Sequence, residues 1–110
     1  MESAYTFEEK INFIKETILK HVQAKYIYLF GSHAYGEPKD DSDIDIYVVI
    51  PDEIENKRIY RIKIRGDLAD KKIYEIDLQI NNESSFIYRK TRSMFESTIV
   101  NKGKLIYEYN

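Results

Sequence analysis

Leu29-Phe30-Gly31-Ser32-His33-Ala34-Tyr35-Gly36-Glu37-Pro38-Lys39-Asp40-Asp41-Ser42-Asp43-Ile44-Asp45 is the stretch that decides how this chain folds. An apolar run ends in Gly31-Ser32, a short polar connection follows, and a second apolar run opens with Asp43-Ile44-Asp45. Residues two apart on a strand point to the same side, so Asp43 and Asp45 share one face and Ile44 and Ile46 the other. The chain must turn sharply after Phe30, and glycine tolerates such a turn. If a helical turn starts at Ser32, its free N–H groups converge on one spot and the Ser32 hydroxyl adds a donor. A phosphate fits there. Two carboxylates this close repel, and a divalent cation removes the conflict. Mg²⁺ takes oxygen ligands shared among a few carboxylates, waters and substrate phosphates. Together the two halves describe a site for a nucleoside triphosphate held through a hard metal ion.

Each half alone also has an ordinary reading. A Gly-Ser pair is a common turn, and the aspartates can form a solvated strand end near Lys39. A third carboxylate, Asp77, lies in Tyr74-Glu75-Ile76-Asp77-Leu78-Gln79-Ile80, whose isoleucines and tyrosine favour β structure. If that strand neighbours the one carrying Asp43 and Asp45, three carboxylates converge. Glu75 and Gln79 share its face, so a plain polar outer face fits the residues too. Two tempting motifs fail. Gly31 and Gly36 have P-loop spacing, but Glu37-Pro38 stands where Lys-Ser/Thr is required. Asp41-x-Asp43-x-Asp45 resembles an EF-hand opening, but Ile46 occupies the glycine position and Asp52 replaces the bidentate Glu.

Outward from this stretch, helices and strands alternate. Thr6-Phe7-Glu8-Glu9 predicts a capping box, followed by Ile11, Ile14, Ile18 and Val22 at helical spacing. Tyr26 to Phe30 and Ile44 to Ile50 are β-rich, the second closed by Pro51. Asp52 with Glu55 can start a helix running through Ile59 and Ile62 toward Leu68. A strand is expected over Ile73 to Ile80, a turn over Asn81 to Ser85, and a helix from about Phe86 to Asn101 with Gly103 just past its end. A last strand spans Leu105 to Tyr109. The connection between the first two strands has room for a helical turn. This order predicts one α/β (α+β) domain over residues 1–110, a mixed sheet of about four strands packed with helices.

Size and composition agree. The chain has 110 residues, 43% hydrophobic and 33% charged, which suits one globular domain. A net charge of −2 gives no global field, so direct nucleic-acid binding is not expected. There is no cysteine, which excludes disulfides, thiolate metal sites and a Cys nucleophile. No apolar run approaches membrane-spanning length, and Met1 to Lys10 is too polar and acidic for a signal peptide, so a cytoplasmic location is expected. Ten tyrosines and no tryptophan stand out, many of the tyrosines on predicted strands. Arg58, Arg61 and Arg65 fall on one helical face, either a solvated face or a contact stripe, and Arg89, Lys90 and Arg92 pose the same choice. His33 lies close enough to Ser32 to contact a phosphate or simply to be solvated. His21 and His33 lack partners for a Ser-His-Asp triad.

Gly31-Ser32, ten residues, then Asp43-x-Asp45 closely resembles the signature of the DNA-polymerase-β-like nucleotidyltransferases. Within that superfamily the chain resembles the minimal nucleotidyltransferases, small proteins often encoded beside a helical HEPN-domain partner. The surrounding Phe-Gly-Ser-x-Ala-x-Gly and Ser-Asp-x-Asp fit as well, as does the closing Lys102-Gly103-Lys104-Leu105-Ile106-Tyr107-Glu108. The resemblance implies that Gly31 and Ser32 form the nucleotide-phosphate turn and that Asp43, Asp45 and Asp77 are metal ligands and catalytic residues. Two Mg²⁺ ions are implied, with Asp77 accepting the proton of the attacking hydroxyl. His33 and Tyr35 depart from the family, where arginine is frequent at both places. The resemblance further implies ATP or another NTP as donor and a protein hydroxyl as acceptor, a tyrosine of a cognate HEPN toxin, which makes the chain an AMPylating antitoxin. So small a chain has no separate substrate-binding domain, so its acceptor must come from a partner or a second subunit in a homo- or hetero-oligomer. Two other functions are consistent with the residues. One is a binding antitoxin that neutralises its partner by contact alone, which has no need of three carboxylates. The other is transfer to a small molecule of the aminoglycoside type, for which no additional gripping domain is seen.

Overall fold

The computed structural model describes residues 5–39 and 41–110. The expected capping box is present at the start of α1 (Phe7–His21): the Thr6 hydroxyl accepts from the Glu9 N–H at 3.1 Å, and Glu9 accepts from the Thr6 N–H at 2.9 Å. β1 (Tyr26–Phe30) follows, then the short α2 (Ser32–Tyr35), β2 (Ile44–Ile50), α3 (Lys57–Asp70), β3 (Ile76–Asn82), α4 (Glu83–Arg89), α5 (Met94–Lys102) and β4 (Lys104–Glu108). The strands form one mixed sheet in the order β3-β2-β1-β4. β1 pairs antiparallel with β2 and β4, whereas β2 and β3 run parallel, joined by α3 as a crossover.

Strand alternation gives the sheet two different faces. Ile44, Ile46, Val48 and Ile50 of β2 join Ile76, Leu78 and Ile80 of β3 under Ile14 and Ile18 of α1 and Ile64 and Leu68 of α3, forming the main core. On the other side Phe30, Tyr47 and Val49 meet Phe86 of α4 and Ile99 of α5, with Tyr26 and Tyr28 packed alongside. This second cluster is aromatic and carries polar groups. The Tyr47 hydroxyl donates to Glu96 at 2.9 Å, Arg89 donates to the same oxygen at 3.0 Å, and Asn81 donates to the Tyr47 oxygen at 3.2 Å. Burial pushes the Tyr47 hydroxyl up to about 12, so it stays a donor.

Three expected boundaries move, each for a local reason. α3 starts at Lys57, not Asp52, because Asn56 caps it by accepting from the Ile59 N–H at 3.3 Å. Asp52 serves another helix: it accepts from the backbone N–H of Ser84 at 2.9 Å and from the Ser84 hydroxyl, at the first turn of α4. β3 begins at Ile76 and runs to Asn82, because the chain is still turning at Lys72, whose φ is 62°. The helix expected over Phe86 to Asn101 is two helices broken at residues 90–93. Phe86 and Ile99 would lie about 140° apart around one straight helix, and the break lets both face the sheet.

The basic stripe also resolves. Arg61 is half-buried and donates to the backbone oxygen of Leu78 at 3.3 Å, covering part of the exposed edge of β3. Arg58 and Arg65 are exposed. His21 does have a partner, the Asp67 carboxylate at 2.6 Å, which ties α1 to α3. Ile59 and Ile62 lie within α3 as expected, and both are exposed. Among the described residues no helix is long and apolar enough to cross a membrane.

Gly66 lies inside α3, exposed, with nothing within 4 Å of where a Cβ would stand. The Gly66→Ala substitution is therefore expected to stabilise the fold by about 0.5–1 kcal/mol, by restricting the unfolded chain without a clash. Urea unfolding measures it, and an unchanged or lower midpoint would contradict this reading of α3.

Candidate functional site

β1 delivers Phe30 to the edge of the aromatic face, and the chain then reverses at Gly31 with φ at 73°. That left-handed conformation favours glycine. Space requires it as well: a Cβ on Gly31 would overlap the Asp45 carboxylate, 2.9 Å from its carbon. Turn and carboxylate thus touch, although they lie on opposite sides of the polar connection. The helical turn expected after Gly31 is present as α2, with the N–H groups of Ala34 and Tyr35 bonded to the Gly31 oxygen at 3.0 and 3.1 Å. Gly36 closes it, donating to the Ser32 oxygen at 3.1 Å.

The conditional adjacency of Asp77 is met. In the parallel register Asp45 is paired with Asp77, Tyr47 with Gln79 and Val49 with Asn81. Asp45 is also the cross-strand partner of Phe30. Asp43 is exposed and extends the same face one step before the strand begins. Burial pushes the Asp45 carboxyl above the usual aspartate range, and the neighbouring Asp77 and Asp43 charges push it further, with His33 opposing. The fold therefore disfavours the charged form of Asp45, a conflict that a cation or a proton relieves. Among the described residues no three His, Asp or Glu side chains are already drawn into a metal cage. An open set of this kind suits Mg²⁺, which keeps waters and substrate phosphates among its ligands. The oxygen-only donors of Asp43, Asp45 and Asp77 fit such an ion.

His33 turns inward. Its Nε2–H donates to the Ser42 backbone oxygen at 3.2 Å, and its ring stacks on Phe7 with centroids 4.8 Å apart. It braces the connection leading into Asp43. The Ser42 hydroxyl accepts from the Lys39 N–H at 2.7 Å, bracing the same segment. Gln79 donates to Asp77 at 3.4 Å from the same strand face. Sequence reasoning did not single out Tyr47 on the carboxylate face, nor Asn81, Glu96 and Phe95, which contact it. The available signal was parity, since Tyr47 is two positions from Asp45 and Asn81 four from Asp77.

Comparison with known proteins gives the family. The family model "Polymerase beta, Nucleotidyltransferase" matches residues 12–110, and the chain belongs to that family. It is thus a nucleotidyltransferase by family, and that family generally uses divalent metal. No curated protein matches the chain in sequence. Among solved structures, one chain of a toxin–antitoxin complex crystallised with AMP-PNP is 27% identical with a TM-score of 0.62, covering 90% of this chain and 73% of that one. Two others share the fold at 24% identity. One is from the tri-AMPylated Shewanella oneidensis HEPN toxin in complex with MNT antitoxin, with a TM-score of 0.59 and coverage of 93% and 72%. The other is from the MntA–HepT toxin–antitoxin, with a TM-score of 0.57 and coverage of 93% and 73%.

Because the Asp45 pKa is raised in the fold, its charged form costs stability above that pKa, and the cost disappears as pH falls through it. With EDTA present, Asp45→Asn is expected to melt a few degrees above the parent at pH 7, and the gap to shrink on acidification toward pH 4. Thermal melts across that range check it, and a variant less stable at neutral pH would sink the electrostatic reading.

Proposed function

We propose that this chain transfers AMP from ATP to a tyrosine hydroxyl of a HEPN-domain partner and so acts as the antitoxin of a toxin–antitoxin pair. The observation that carries the reading is the side-by-side placement of Asp45 and Asp77 with Gly31 against Asp45. The relative crystallised with AMP-PNP supports an adenine nucleotide as donor, and its toxin–antitoxin context supports a protein partner.

In this reading Asp43, Asp45 and Asp77 hold two Mg²⁺ ions, and the Gly31-Ser32 turn receives the triphosphate through backbone N–H groups and the Ser32 hydroxyl. The ions, when bound, neutralise phosphate charge and make the acceptor hydroxyl more acidic. The acceptor oxygen forms a bond to the α-phosphorus in line with the departing pyrophosphate, whose bond breaks. Asp77 accepts the hydroxyl proton. The protein contributes position and fixed charge. Asp43 and Asp45, on one face, set the donor, while the partner brings the acceptor.

The test uses labelled ATP, Mg²⁺ and the product of the adjacent gene. The parent is expected to label that protein on tyrosine. Joint replacement Asp43→Asn with Asp45→Asn, or EDTA, should reduce transfer by about 100-fold or more. Undiminished transfer by the double variant would refute the site. If the variant loses transfer yet still neutralises the partner in cells, the antitoxin works by contact instead.

A further inference from the structure

The aromatic cluster on the α4/α5 side of the sheet is buried at one end and open at the other. Phe86 sits among Tyr26, Tyr28 and Tyr47, with ring centroids 6.3, 5.9 and 5.6 Å away, and is 2% exposed. The array then continues to Phe95 at the start of α5. That ring meets Phe30 edge-on at 5.4 Å and Tyr47 at 6.0 Å, and it remains 43% exposed. Phe30 is the cross-strand partner of Asp45, and Tyr47 is two residues along the strand from it. The ring that rests on both therefore stands beside Asp45, on the carboxylate face of the sheet.

A lone exposed phenylalanine needs no explanation. This one is held in place by a costly device. Glu96, the next residue, is only 3% exposed and accepts from the Tyr47 hydroxyl and from Arg89. Burial opposes its charge, but hydrogen bonds, those from Tyr47 and Arg89 among them, outweigh it and hold the carboxyl below the usual glutamate range. The second carboxylate oxygen is buried without a partner among the described residues and Arg89 is half exposed, so the contact is weak evidence for stability and better evidence for a fixed arrangement. What it fixes is the first turn of α5 against β2, and hence the Phe95 ring. Two ring neighbours and an anchored backbone leave that ring little freedom to lose when something stacks on it.

We propose that Phe95 is a specificity-determining residue of the transfer site, whose open face stacks on a planar ring of a reactant. This rests on the transferase reading above. Two rings have that chemistry, the base of the nucleotide and the phenol of the acceptor tyrosine. Base-on-aromatic stacking is tolerant of which base is present, so Phe95 selects for a planar ring rather than for one base.

The experiment compares the parent with Phe95→Ala, Phe95→Leu and Phe95→Tyr, each confirmed folded by its thermal melt. Binding of Mg·ATP and of Mg with inorganic tripolyphosphate is measured by calorimetry, and transfer to the adjacent gene's product by steady-state kinetics. If the base stacks, Phe95→Ala and Phe95→Leu weaken Mg·ATP about five- to tenfold, leave tripolyphosphate binding unchanged, and Phe95→Tyr restores the parent value. If the phenol stacks, nucleotide binding is unchanged and the KM for the protein acceptor rises by a similar factor, again restored by Phe95→Tyr. Leucine keeps the apolar bulk, so a variant series in which leucine matches phenylalanine in both assays overturns the proposal. Should the parent bind neither Mg·ATP nor tripolyphosphate, the transferase reading falls with it. Binding of both by the parent with no effect at Phe95 removes this inference alone.

Discussion

The parallel register of β2 and β3 places Asp45 beside Asp77, and the rest of the site depends on that pairing. Parallel strands cannot be joined by a tight turn, so the chain must cross over through α3 before it can add β3. α3 covers the aliphatic face, where Ile64 and Leu68 meet isoleucines from both strands. The side chains of opposite parity then fall on the other face, and the two aspartates among them become neighbours. The same alternation that buries Ile44 and Ile46 therefore creates the charge conflict at Asp45. Gly31 answers a steric version of that conflict, because only a residue without a Cβ fits against the carboxylate.

The two faces of the sheet have separate duties. The α1/α3 side is aliphatic, closely packed and supplies the bulk of the burial that drives folding. The α4/α5 side is smaller, built of rings and threaded by the Tyr47–Glu96–Arg89 hydrogen bonds. Polar groups inside a core are a liability, and among the described residues one Glu96 oxygen is buried without a partner, but the bonds the network does make fix α5 against β2. Specificity matters on this side because helix placement there sets the surroundings of the carboxylates. The boundary between the faces is the strand backbone itself, so errors of one residue in register would exchange the two roles.

Much of this was legible in the sequence, and the parts that were not share a cause. Thr6 and Glu9, the run ending at Phe30, and the alternation from Ile44 are local signals, and each produced the element expected of it. The Asp43 and Asp45 face followed from parity alone. Asp77 could be proposed only conditionally, since its neighbour Asp45 lies 32 positions earlier, across the α3 crossover. The failures arose where a side chain took a distant partner. Asp52 looked like the cap of its own helix and instead caps the start of α4 through Ser84. His21 looked isolated because Asp67 lies on another helix. The break between α4 and α5 was invisible because it answers the sheet, which both Phe86 and Ile99 must face. Arg61 read as part of a charged stripe until the Leu78 carbonyl, a backbone group, turned out to be its partner.

The crossover also divides the site by contact range. Gly31, Asp43 and Asp45 lie on β1, β2 and the connection between them, an antiparallel unit whose pairings are closer in sequence than the pairing of Asp45 with Asp77. Repulsion between Asp45 and Asp77 belongs to that longer-range contact. That contact involves an edge strand, β3, held on one side only. The pairing that sets Asp77 beside Asp45 is thus also the one that attaches β3 to the sheet.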